Sequence, residues 1–174
     1  MKPLHAVLGM TAATVLAACQ SVPSDAPRAT ANLQSTKGST VRGIANFVQL
    51  SGKVRVAANV SGLKPNSQFG FHIHEAGDCS SGDGMSAKGH FNPLAKPHGH
   101  HSTMERHAGD MPNLQSDASG NASITADLDV ITVTSGTTSI VGRGLIVHVQ
   151  PDDYKSQPVG NAGARSACAV IQRS

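Results

Sequence analysis

Apolar residues recur at every second position through Val54, Val56, Ala58 and Val60, the spacing that puts one set of side chains on a single strand face. The run before it, Val41-Arg-Gly-Ile-Ala-Asn-Phe-Val-Gln-Leu, is joined to it by Ser51-Gly52, so the pattern predicts a hairpin with a two-residue turn. Gly62 and Lys64-Pro65-Asn66-Ser67 interrupt the chain, and Gln68 to His74 reads as the third strand. Strands are predicted again at Asn121 to Leu128, Val130 to Thr134 and Leu145 to Val149, with Cys168 to Ile171 as the last. No window carries a helical period, which makes the fold all-β, with the short strands and glycine turns of a sandwich or barrel.

Between Glu75 and about Gly120 the alternation disappears into glycine, proline, serine and histidine. Ordered loops of that length are usually functional. In a strand His72 and His74 lie on one face, able to close on one metal ion, while Phe71 and Ile73 face the other way into the core. Beyond them His90, His98, His107 and Asp110 supply three imidazoles and a carboxylate, a set suited to tetrahedral zinc. The spacing therefore predicts two metal sites with one histidine shared. In Leu145 to Val149, alternation turns His148 away from Leu145, Val147 and Val149, as a solvated side chain or as a further ligand.

The ends of the chain change the compartment. Met1-Lys2, an apolar stretch from Ala6 to Val15, and Leu16-Ala17-Ala18-Cys19 read as a secretory signal over residues 1–18, too short for a permanent span. The closing tetrapeptide is similar to a bacterial lipobox, which would make Cys19 a lipid-modified first residue; an ordinary signal with an incidental cysteine is the alternative. Residues 19–30, with Pro23 and Pro27, read as a flexible tether, and 31–174 as the domain. The expected location is the periplasm, anchored to the membrane. Export leaves Cys79 and Cys168, either bridged across a long loop or as two unpaired thiols. Without residues 1–18 the chain carries 13 basic and 11 acidic side chains, and aromatics are only 3 % of the sequence, so a nucleic-acid surface is excluded. A homodimer is left open.

Two stretches resemble a known family. Gly70-Phe-His-Ile-His-Glu-Ala-Gly-Asp-Cys-Ser and Gly160-Asn-Ala-Gly-Ala-Arg-Ser-Ala-Cys-Ala-Val-Ile are similar to the two signature motifs of copper/zinc superoxide dismutases. The resemblance runs from about Thr40 to the C-terminus. It implies an eight-stranded antiparallel Greek-key barrel, an immunoglobulin-like sandwich with long metal-binding loops. It also implies copper on His72, His74, His90 and His148, and zinc on His90, His98, His107 and Asp110, with His90 as the bridge. Asp152 matches a carboxylate that hydrogen-bonds a ligand of each metal, Arg165 the arginine beside copper, and Cys79 with Cys168 the family's disulfide. Arg165 and His90 are the residues expected to act on superoxide and its protons. The short segment between His148 and Arg165 resembles the bacterial branch, and its only charges are Asp152, Asp153 and Lys155. His100 and His101 are extra, read as solvated loop residues or as weak metal collectors. The rival from another class is a periplasmic copper or zinc buffer without enzymatic activity.

Overall fold

The computed structural model describes residues 23–174. The signal at 1–18, Cys19 and its lipidation, and the start of the tether lie outside the described residues. Among the described residues there are ten strands: β1 (Arg28–Ser35), β2 (Arg42–Leu50), β3 (Lys53–Ser61), β4 (Gln68–Phe69), β5 (Phe71–His74), β6 (Leu114–Gln115), β7 (Ala122–Leu128), β8 (Gly144–His148), β9 (Arg165–Val170) and β10 (Gln172–Arg173). A 3₁₀ turn spans Met85–Ala87. Eight strands form one antiparallel sheet in the order β5-β8-β9-β1-β2-β3-β7, with β10 beside β1, and β4 pairs with β6. Because β6 lies against β7 and β4 runs straight into β5, the sheet curls back on itself, giving the expected all-β antiparallel barrel architecture.

Alternation builds the core. Val54, Val56, Ala58 and Val60 are buried from β3, Ala45 and Phe47 from β2, and the register around Ser51-Gly52 pairs Leu50 with Lys53, as the hairpin pattern predicts. Phe71 and Ile73 of β5 meet Leu145 and Val147 of β8 in the same core. Burying a side chain such as Phe47, with no exposed area, contributes roughly 1.5–3 kcal/mol.

Four expectations need correction. The sequence pattern extends the tether through residue 30, yet β1 begins at Arg28, with Ala29 buried against the core. The stretch Val130 to Thr134 forms no strand; Ile131 and Val133 are buried, but Gln49 Oε1 accepts from Val133 N and Thr132 Oγ1, and only a Thr132–Ser139 bridge remains. Side-chain hydrogen bonds replace the ladder there. The third strand breaks at Gly70: Gln68–Phe69 pair with β6 and Phe71–His74 with β8, in different sheets, and a Cβ on Gly70 would sit 2.8 Å from Ala162 Cβ and 3.0 Å from His72 Cε1. The last strand starts at Arg165, three residues before Cys168.

Candidate metal centre

Strand β5 delivers His72 and His74 opposite Ile146 and Gly144 of β8, and β8 itself ends on His148. The long loop returns over this face: His90 forms a bridge with His74, and Asp110 one with His72. The face that alternation marks as polar is thus covered, and all four histidines are buried. His72 and His90 have ring centroids 4.0 Å apart, and His72 and His148 are 5.1 Å apart.

Which nitrogens are free follows from the partners of the others. A carbonyl oxygen can only accept, so Nδ1–H of His74 donates to Lys88 O (2.8 Å) and Nδ1–H of His148 to Gly163 O (3.1 Å). Their Nε2 atoms then both carry lone pairs, and they face each other at 3.3 Å with no hydrogen between them. His72 Nε2 donates to Asp152 Oδ2 (2.7 Å), which leaves its Nδ1 bare, and His90 Nδ1 donates to Asp110 Oδ1 (2.8 Å), which leaves its Nε2 bare. Those two bare nitrogens are buried without any partner. Four buried lone pairs converging within 4.8 Å are a donor set for a cation, and imidazole nitrogen suits copper.

The second group is centred on one carboxylate oxygen. Asp110 Oδ1 lies 2.8, 3.1 and 3.3 Å from Nδ1 of His90, His98 and His107. Ligands on a tetrahedral zinc at about 2.0–2.2 Å stand about 3.3 Å apart, so these separations fit that ion. Asp110 Oδ2 is fixed by the backbone N–H groups of Gly99 (3.1 Å) and His107 (2.8 Å). Asp152 ties the groups together, with Oδ2 on His72 and Oδ1 on His98 Nε2 at 2.9 Å. Its own backbone is held by Asn113 in a reciprocal pair of 2.9 Å bonds, and a Cβ on Gly160 would fall 1.8 Å from Oδ1. Nothing in the sequence marks Asn113 or Gly160 as supports of this site, because an amide and a glycine carry no ligand signal there.

The comparisons with known proteins agree with this geometry. The family model described as copper/zinc superoxide dismutase matches residues 41–171. This chain belongs to the copper/zinc superoxide dismutase family. It is 40 % identical to "Superoxide dismutase [Cu-Zn] 2" of Aquifex aeolicus, over 99 % of this chain and 100 % of that protein. It is 41 % identical to "Superoxide dismutase [Cu-Zn] 1" of the same bacterium, covering 82 % and 86 %. Among solved structures, the crystal structure of the clock protein EA4 superposes with a TM-score of 0.77 at 41 % identity, covering 84 % of this chain and 94 % of that one. Membership makes the chain an oxidoreductase of the copper- and zinc-using class, and its two histidine groups fit those two metals.

The electrostatics fit a family site. Burial first, then the neighbouring His72, lowers both His90 and His148 to about 3, and burial with His90, His148 and Arg165 holds His74 well below its ordinary value. These imidazoles stay neutral, the form in which nitrogen ligates. His98 differs because both its nitrogens face carboxylates: burial opposes its charge, but Asp110 and Asp152 raise it to about 9. Asp110 and Asp152, although burial disfavours their charge, are kept far below the usual carboxylate range by the histidines that donate to them.

Arg165 stands opposite His148 in the β8–β9 register, and its guanidinium donates to the carbonyls of Gly84 and Lys88. The Cys79–Cys168 disulfide fastens the loop bearing those carbonyls to β9. His100 and His101 stack on each other at 4.1 Å, with His100 also against Tyr154, and neither joins a four-ligand group. Their role as metal collectors gains nothing from this packing.

Proposed function

We propose that this chain dismutes superoxide at copper held by His72, His74, His90 and His148, with zinc held by His90, His98, His107 and Asp110. The observation that carries the reading is the orientation of His90, whose Nδ1 faces Asp110 while its bare Nε2 belongs to the group of His72, His74 and His148. Copper supplies one-electron chemistry in two oxidation states and zinc supplies fixed charge and loop order. Two superoxide anions and two protons give dioxygen and hydrogen peroxide, so the protein must attract an anion and deliver protons. Arg165 does the first, since a guanidinium stays charged and can donate to dioxygen anions. His90 is placed for the second: its Nε2, the nitrogen aimed into the copper group, is the atom that would take up a proton whenever it is not ligating and pass it to peroxide. Asp152, bonded to His72 and His98, is the positioning residue that fixes both rings.

A metal buffer needs neither a shared ligand nor a half-buried arginine beside the site, and this favours the enzyme over the storage reading. Purified protein reconstituted with copper and zinc should hold near one of each per chain and remove superoxide, and Arg165→Ile should keep both metals while losing roughly tenfold or more in kcat/KM. Loaded protein with no dismutase activity would leave the buffer reading in its place. Compartment belongs to the same proposal: a lipid on Cys19 anchors the chain in the periplasm, where it protects the envelope. A disulfide between Cys79 and Cys168 is at home in an oxidising compartment and supports that location. A Cys19→Ala variant should leave the membrane fraction; equal retention would remove the anchor.

A further inference from the structure

Lys88 occupies a backbone conformation that physics reserves for glycine. Its φ of 63° and ψ of −149° lie in a region that side-chain-bearing residues enter only at a cost. What forces the conformation is a row of three consecutive carbonyls. Ala87 O accepts from Ala76 N (3.0 Å), Gly89 O from Glu75 N (2.9 Å), and Lys88 O, between them, from His74 Nδ1–H (2.8 Å) and from Arg165. The loop is thereby sewn to residues 74–76, and the Lys88 oxygen sits where a copper-group histidine and the anion-facing arginine meet. None of these bonds uses the lysine side chain, which is exposed. The backbone duty of this position calls for glycine, yet the chain spends conformational energy to keep a cationic side chain there.

We propose that the Lys88 ammonium is a second cation of the anion entrance, working ahead of Arg165 to draw superoxide to the site. This rests on the dismutase reading above and names the residue that sets its rate of encounter. The surrounding charge calls for such a group. Asp83, on the same loop, acts electrostatically on Arg165, and Asp78 is exposed beside the disulfide. On the other side, the segment from Pro151 to Asn161 contributes Asp152 and Asp153 against Lys155 alone. Arg165 is itself half-buried and committed to two carbonyls, so long-range attraction falls to an exposed charge. A side chain kept where a local conformational rule disfavours it marks a functional position.

The test uses copper/zinc-loaded full-length protein and four variants, Lys88→Gly, Lys88→Ala, Lys88→Glu and Lys88→Arg. At low ionic strength kcat/KM should fall roughly two- to fivefold in Lys88→Gly and Lys88→Ala and about tenfold in Lys88→Glu, while Lys88→Arg retains the parent rate. The differences should shrink as salt is added, because screening acts over about 10 Å at 0.1 M. Azide, a small anion read by its effect on the copper absorption, should bind more weakly by the same factors. Thermal midpoint separates backbone from charge: Lys88→Gly should melt higher than the parent by relief of the positive φ, whereas Lys88→Ala should not. A more stable Lys88→Gly that is slower is the signature of a residue kept for its charge. An active parent whose Lys88→Glu variant matches it in rate, salt dependence and azide affinity would overturn the proposal. An inactive loaded parent would instead remove the dismutase reading, and the entrance with it.

Discussion

Asp110 concentrates more of the site than any other side chain: one oxygen faces three imidazoles and the other caps two backbone N–H groups of its own loop. Asp110→Ala should therefore lose zinc first, as elemental analysis would show, while His72, His74 and His148 on strands keep affinity for copper. Breaking a buried ionic cluster by removing one partner costs roughly 3–5 kcal/mol, so the thermal midpoint should fall by many degrees. Stoichiometric zinc at an unchanged midpoint would contradict the assignment. Acid and base should also act through named residues in the metal-free protein. His90 and His148 titrate near 3 in the fold and near 6.5 when unfolded, so the stability they confer is complete above about 6.5 and is lost as pH falls toward 3. His98, raised to about 9, works in the opposite direction: its contribution is complete below 6.5 and is lost as pH rises through 9. Denaturant melts of the apoprotein across this range should give a maximum near pH 6.5, and a curve still rising at pH 9 would show that the Asp110–His98–Asp152 contacts do not form.

At the scale of elements, the loop from Glu75 to Gly120 is ordered by what it binds and by one covalent tie. Cys79–Cys168 closes a loop with a sequence separation of 89 residues, worth about 4 kcal/mol on the chain-entropy account. Cys168→Ser should lower stability by about that amount by the same entropy argument. It should also slow dismutation with Arg165 intact, because the carbonyls of Gly84 and Lys88 that aim the guanidinium are no longer tied to β9. Full activity in the serine variant would mean that the 3₁₀ turn and its hydrogen bonds suffice. The spacing of His72, His74, His90, His98, His107 and Asp110 is visible in the sequence because ligation restricts residue type at each position. The β2–β3 hairpin is visible because Val54, Val56, Ala58 and Val60 alternate cleanly. Strand β1 is hidden because its inward residues are Ala29, Ala31 and Leu33, mostly too small to mark a period. The covered face of His148 and the carbonyls of Gly84, Lys88 and Gly163 are hidden for another reason: they depend on loops returning from far along the chain, and a backbone oxygen has no sequence signature.

For the whole molecule, the early start of β1 sets a length. From Cys19 to Arg28 the chain advances nine residues, and even fully extended it can span only about 30 Å. With a lipid on Cys19, the barrel would be leashed inside a shell of water about as deep as the hydrocarbon core of the bilayer is thick. An enzyme so confined would meet radicals formed at the membrane surface before those crossing the open periplasm, and would release its peroxide into the same thin layer. Inserting a flexible spacer between Ser24 and Ala26 should leave turnover of dissolved superoxide unchanged, yet weaken protection of a membrane-bound oxidation probe.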